Sequence, residues 1–127
     1  MKFKESKSIY LQIADRICDE ILQGQYKEEE RIPSVREYAA TVEVNANTVV
    51  RSFDYLQGQD IIYNKRGLGY FVALDGRERI LELRKEVFLR DELPEFLRQL
   101  KTLDIPIRDV EKIYKVYLKE DYSNKQK

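Results

Sequence analysis

Apolar residues recur every three or four positions over the first part of the chain, which is the spacing of a helix with one buried face. That face carries Ile9, Ile13, Ile17 and Ile21. The pattern predicts a helix over residues 8–23, and Gly24 is typical of the residue that follows a helix C-terminus.

Two further helix starts follow closely, and each has a local capping signal. Ser34 and Glu37 have the spacing of a capping box, in which each side chain bonds the backbone N–H of the other residue. Asn45 is a good N-cap for a helix over residues 46–57, whose buried stripe carries Val49, Phe53 and Leu56. Two helices joined by so short a turn predict a helix-turn-helix.

The exposed face of this third helix carries chemistry suited to nucleic acid. Asn47 and Arg51 fall opposite the buried stripe, with Thr48 at the edge of their face. Amide, hydroxyl and guanidinium groups are those that read base edges and phosphates. Arg36 adds a cation in the first turn of the second helix, beside backbone N–H groups that favour an anion. The alternatives are a generic polar face on the third helix and an ordinary capped start on the second.

Two short runs rich in β-branched and aromatic residues follow, over residues 61–63 and 70–74. Residues 64–69 between them form a turn that contains adjacent Lys65 and Arg66. Gly67 and Gly69 permit a positive φ at the tip of such a hairpin. These features predict a basic wing beside the third helix, within reach of phosphate or the minor groove.

Four separated segments together resemble the winged helix-turn-helix of the GntR family of bacterial transcription regulators. They are residues 9–14 (IYLQIA), 32–37 (IPSVRE), 45–51 (NANTVVR) and 66–72 (RGLGYFV), within a resemblance that covers about residues 8–74. The resemblance implies sequence-specific binding of a double-stranded DNA operator by a dimer, usually as a repressor. The family's DNA-contacting positions match this chain at Ser34, Arg36, Asn47, Thr48, Arg51, Arg66, Gly67 and Gly69.

The chain departs from the family pattern at four positions. Glu30, Glu43 and Asp60 stand where the family usually has glycine, and Tyr70 stands where the wing usually has threonine. The three acidic residues leave the fold plausible but add negative charge near a DNA-facing surface.

Composition bounds the remaining classes of function. Lys and Arg together number 23, as do Asp and Glu, so any positive surface is local, formed by Arg31, Arg36, Arg51, Lys65 and Arg66. The chain has no His, and its single Cys18 lies among apolar residues of the first helix, so we predict no enzyme activity, no cofactor and no metal site. Since the chain has no disulfide pair and no apolar run of membrane-spanning length, we expect a cytoplasmic protein with no membrane partner.

From about Gly76 the chain is highly charged, with apolar residues at helical spacing and Pro94 in the first turn of a predicted helix. Two or three short helices cannot bury their apolar faces alone, so we predict a homodimer through this segment. The appendage resembles that of the YtrA subfamily, where a short helical unit mediates dimerisation and the regulated operons often encode transporters. The alternative is that these helices pack on their own winged domain.

The prediction is a mainly α chain with a small β-hairpin: a winged helix-turn-helix followed by a short C-terminal helical dimerisation unit. Its parts are the DNA-binding domain (residues 1–75), the dimerisation unit (76–122) and a polar tail (123–127). The predicted function is a dimeric repressor, with any small-molecule effector left open. The alternatives are a winged-helix module for protein–protein contact and, more remotely, a small enzyme that uses paired carboxylates.

Overall fold

The computed structural model describes residues 7–125. These residues form helices and one two-stranded antiparallel sheet, joined by turns and loops. The chain divides into two compact units, of which the first ends at Arg84 and the second begins at Lys85. Every helix within residues 7–125 is too short or too polar to span a bilayer. The elements in chain order are α1 (Ile9–Leu22), α2 (Val35–Val42), α3 (Ala46–Gly58), β1 (Ile62–Lys65), β2 (Gly69–Val72), α4 (Gly76–Val87), α5 (Leu93–Thr102) and α6 (Ile107–Lys125).

The core of the first unit lies between α1, α2, α3 and the hairpin. The predicted stripe of α3 is confirmed, because Val49, Phe53 and Leu56 are all fully buried. On α1 the buried face begins at Ile13, and Ile9 in the first turn remains 46% exposed. The apolar spacing of both helices therefore predicted the core correctly except at the helix end.

The hairpin is bonded to the segment that leads into α2. In the sheet, Tyr63 lies opposite Phe71. The Glu29 N–H donates to the Val72 carbonyl at 2.8 Å, and the Ile32 N–H donates to the Tyr70 carbonyl at 2.9 Å. Residues 29–32 thus run along the outer edge of β2 and connect the wing to the start of α2.

The strands are displaced from the predicted runs. Residues 64 and 65 belong to β1, the tip is the three-residue turn 66–68, and residues 73 and 74 lie beyond β2. The Leu68 N–H closes the turn on the Lys65 carbonyl at 2.8 Å. The strand limits predicted from residue type were wrong because backbone pairing between the two strands continues through polar residues at the exposed tip.

Three acidic residues of the first unit adopt left-handed backbone conformations. They are Glu29 (φ 68°), Glu43 (φ 56°) and Asp60 (φ 62°). Glu43 and Asp60 stand at positions where the family usually has glycine, but the first left-handed residue is Glu29 and not Glu30. The Glu30 carboxylate instead accepts from the Lys27 N–H at 2.8 Å.

The second unit contains the end of α4, a π-helical turn (Phe88–Glu92), α5 and α6. Pro94 occupies the first turn of α5, as predicted. No side chain between residues 85 and 121 is fully buried. The backbone of α6 continues to Lys125, into the predicted polar tail, and residues 126 and 127 lie outside the described part of the chain.

Candidate nucleic-acid interface

The start of α3 carries Asn47, Thr48 and Arg51, the residues predicted on its exposed face. Asn45 caps the helix by accepting from the Asn47 N–H at 2.8 Å. The side chains of Asn47 and Arg51 are exposed, and Thr48 is half-buried at the edge of their face. An exposed helix start with amide, hydroxyl and guanidinium groups has the dimensions and chemistry to enter a major groove.

Two adjacent residues of α3 attach to Tyr10 of α1. The buried Ser52 hydroxyl donates to the Tyr10 carbonyl at 2.7 Å, and the Thr48 carbonyl lies 3.2 Å away as a second acceptor. The Arg51 guanidinium carbon lies 4.2 Å from the centre of the Tyr10 ring, which is a cation–π distance. Nothing in the sequence indicated this pairing, because Tyr10 lies about 40 positions before its partners in α3. The signal for Ser52 was its spacing, since it falls three residues after Val49 on the buried face.

The start of α2 has the predicted capping box. The Glu37 N–H donates to Ser34 Oγ at 3.1 Å, and the Ser34 N–H donates to Glu37 Oε1 at 3.2 Å. The pKa of the Glu37 carboxyl lies below its usual range. The largest cause is the hydrogen bond from the Ser34 backbone N–H, and the Ser34 side chain and the positive charge of Arg31 lower the pKa further. Arg36 is exposed and makes no hydrogen bond or ion pair within residues 7–125, so its charge is available to a phosphate.

The wing presents a cation and two glycines that differ in their surroundings. Arg66 is exposed at the tip and has no bonded partner among the described residues. Gly67 has φ 80°, and a side chain there would meet open space. Gly69 has φ 114°, and a Cβ there would come within 2.9 Å of Arg31 Nε. Lys65 lies on β1, with its amino group 4.6 Å from the centre of the Phe71 ring.

Arg31, predicted only as part of a positive face, instead bridges two elements of the interface. Its Nε donates to the Leu68 carbonyl in the wing turn at 3.2 Å. Its Nη2 lies 3.7 Å from Glu37 Oε1 in the first turn of α2. Sequence reasoning missed this role because Leu68 is 37 positions away along the chain.

Tyr70, which stands at the usual threonine of the wing, belongs to the core side of the hairpin. Its ring packs edge-on against the ring of Phe53 in α3, with 4.9 Å between ring centres. The wing is therefore fixed to α3 from inside, and to α2 through Arg31. Two contacts from separate directions limit how far the wing tip can move relative to both helices.

Two other kinds of site, a cysteine nucleophile and a metal centre, have little support among the described residues. Cys18 is 7% exposed, and burial raises the pKa of its thiol to about 12, the opposite of what a nucleophile needs. No cluster of three or more acidic or Cys side chains within residues 7–125 has the geometry of a metal site.

Comparison with known proteins identifies the family. The sequence profile of bacterial regulatory proteins of the gntR family matches residues 9–72. A crystal structure described as a transcriptional regulator of that family from Bacteroides thetaiotaomicron is 59% identical, covers 90% of this chain and 99% of its own, and superposes with a TM-score of 0.81. In Bacillus subtilis (strain 168), the HTH-type regulator YhcF is 35% identical over 82% of this chain and 84% of its own length. The HTH-type transcriptional repressor YtrA of the same strain is 29% identical over 74% and 72%, respectively.

Proposed function

We propose that this chain, which belongs to the gntR family of bacterial regulatory proteins and is a DNA-binding transcription regulator, acts as a homodimeric repressor of a bacterial operon. The observation that carries the proposal is the exposed start of α3, where Asn47 and Arg51 share one face while the opposite stripe is fully buried. Because the opposite stripe is buried in the core, α3 can contact DNA only through its exposed side, which includes Asn47 and Arg51. Repression would follow from occupying an operator that polymerase must cross.

Each group at the interface has a distinct proposed role. Asn47 and Arg51 read base edges, since amide and guanidinium groups make the bidentate contacts that distinguish bases. The remaining predicted residues position the protein on the backbone and carry little sequence information. These are Ser34 and Arg36 at the start of α2, Thr48 on α3, and Arg66, Gly67 and Gly69 in the wing.

DNA binding by point variants tests this orientation. A duplex that the full-length protein selects from a random-sequence library is labelled, and its affinity is measured by fluorescence anisotropy with random DNA as competitor. Arg51→Ala should weaken specific binding by about 1–3 kcal/mol, the range of a good base contact, while nonspecific binding changes less.

Lys27→Ala is the matched control, because Lys27 is exposed beyond the C-terminal end of α1, whereas Tyr10 and α3 meet at its start. The two ends of this 14-residue helix are separated by about 20 Å. If Arg51→Ala and Arg36→Ala both bind as tightly as Lys27→Ala, the proposed orientation is wrong.

The dimer is proposed from the second unit, whose apolar side chains lack cover. Within α6, Ile113 is 68% exposed and Tyr117 is 62% exposed. Leu103, between α5 and α6, is 65% exposed. A short helical unit with no fully buried side chain between residues 85 and 121 has little hydrophobic free energy of its own. A second copy would bury these faces and would also supply the second half-site reader that helix-turn-helix proteins use.

Sedimentation velocity on two charge variants of α6 tests the dimer. Tyr117→Asp places a carboxylate on the apolar face and should yield monomers at micromolar concentration. Lys119→Asp is the control, since residues two apart on a helix point about 160° away from each other. If both variants sediment like the wild-type dimer, or if the wild type is a monomer, the proposed interface is wrong.

A further inference from the structure

Arg31 occupies a position between the wing and the start of α2 that none of the predicted roles explains. We infer that Arg31 is a positioning residue, which holds the wing tip against the first turn of α2 so that Arg66 meets the DNA backbone. This inference rests on the proposed function, because it concerns how one of the proposed contacts is presented.

The backbone of Arg31 is placed before its side chain acts. Arg31 forms an antiparallel bridge with Phe71, and the next residue, Ile32, donates to the Tyr70 carbonyl at 2.9 Å. The residue is therefore fixed beside β2, immediately next to the turn that it contacts. Its side chain has only to reach the tip and α2.

The side chain uses two different nitrogens for its two contacts. Nε donates to the Leu68 carbonyl at 3.2 Å, and Nη2 lies 3.7 Å from the Glu37 carboxylate. A guanidinium presents these donors in one rigid plane, whereas a lysine ammonium would supply a single point charge. The geometry requires the shape of arginine and not only its charge.

The two wing glycines support this reading. A Cβ at Gly69 would lie 2.9 Å from Arg31 Nε, whereas a Cβ at Gly67 would meet nothing within 4 Å. Gly69 thus leaves room for Arg31, while Gly67 remains open on the tip. The carboxylate of Glu37 also offsets the charge of Arg31, which leaves the unpaired Arg66 as the cation better placed to attract a phosphate.

A double-mutant cycle, read by DNA binding at several salt concentrations, tests the inference. The probe is the labelled duplex selected by the wild-type chain. Arg31→Ala and Arg66→Ala should each weaken binding about tenfold, and the double variant should bind no more weakly than Arg66→Ala alone. Each of the three should reduce the slope of log Kd against log salt by about one, because the same phosphate contact is lost each time. Arg31→Lys should behave like Arg31→Ala.

Several results would overturn the positioning role. Losses that multiply in the double variant, with a second fall in the salt slope, would show that Arg31 meets a phosphate itself. If Arg31→Lys binds the duplex as tightly as wild type, the charge of residue 31 is sufficient and the shape of arginine is not needed. If Arg31→Ala binds as tightly as wild type, the contacts of Arg31 to Leu68 and Glu37 do not contribute to DNA binding. If Arg51→Ala and Arg66→Ala also bind like wild type, the proposed orientation on DNA is wrong as well, and if the wild-type chain selects no duplex at all, the proposed function itself fails. The Arg31 side chain is 52% exposed, so its variants should fold, which circular dichroism verifies.

Discussion

Gly76 should not tolerate even the smallest side chain, although it begins a helix. A Cβ at this position would lie 2.7 Å from the Ile61 carbonyl oxygen and 3.1 Å from Val72 Cγ1. Real Cβ atoms do not approach a backbone oxygen so closely, and a backbone oxygen cannot rotate away as a side chain can. Gly76→Ala must therefore separate α4 from the hairpin or strain one of them.

The magnitude follows from comparison with Gly58, at the end of α3. Neither glycine has a left-handed φ, and a Cβ at Gly58 would meet nothing within 4 Å. Replacing glycine by alanine reduces the entropy of the unfolded chain at both positions and should stabilise by about 0.4–1 kcal/mol. Overpacking opposes this gain only at Gly76 and typically costs about 1–3 kcal/mol. The difference between the two variants thus isolates the steric term.

Urea unfolding followed by circular dichroism measures both variants. Protein concentration is held constant, because stability of an oligomer depends on it. Gly58→Ala should raise the free energy of unfolding, and Gly76→Ala should fall about 1–3 kcal/mol below Gly58→Ala. Equal stability of the two variants would refute the close approach between α4 and the hairpin.

Three further predictions concern the first unit. Glu43→Gly should stabilise by about 0.5–1 kcal/mol in the same urea assay, since the strain relieved, about 1–2 kcal/mol, exceeds the unfolded-chain entropy that glycine adds, about 0.4–1 kcal/mol. Asp60→Gly should give a smaller gain because Asp tolerates a left-handed backbone; a loss of stability at Glu43 would contradict this. Ser34→Ala should cost about 1 kcal/mol through loss of the capping box, whereas Ser8→Ala should cost little, since Ser8 makes no side-chain cap bond; equal losses would refute the distinction. At pH 8, Cys18 should react with a disulfide reagent at least about a hundredfold more slowly in the native protein than in denaturant, because burial raises its pKa to about 12; equally fast reaction would show that α1 opens readily.

Local signals in the sequence were sufficient for most of the fold. The capping box of Ser34 and the N-cap of Asn45 depend on residues two or three positions apart, so their spacing alone predicts them. The buried stripe of α3 depends on helical periodicity in the same way. The hairpin limits were less predictable, because a strand's last residues are set by pairing with another segment and not by their own side chains.

Contacts between distant segments account for what the sequence did not reveal. Ser52 meets the Tyr10 carbonyl 42 positions away, and Arg31 meets the Leu68 carbonyl 37 positions away. Neither partner is a side-chain group, so no pairing of residue types could signal the contact. The left-handed conformation at Glu29 was likewise hidden, because it depends on how residues 29–32 enter the edge of β2.

The zero net charge of the chain is consistent with operator binding because most cations of the proposed interface have no acidic partner in the described part of the chain, which leaves a local positive surface. Of the five cations predicted for this surface, only Arg31 has a carboxylate partner, Glu37, within residues 7–125. Arg51 and Lys65 lie over aromatic rings but keep their positive charge, as do Arg36 and Arg66. Four such cations on one protomer can meet only a few phosphates and release few counterions, so a single protomer would bind DNA weakly and be displaced by modest salt. Joining two protomers makes the second binding event intramolecular and raises affinity without any new contact. The apolar faces of the second unit would therefore contribute to DNA affinity even though they do not read the DNA.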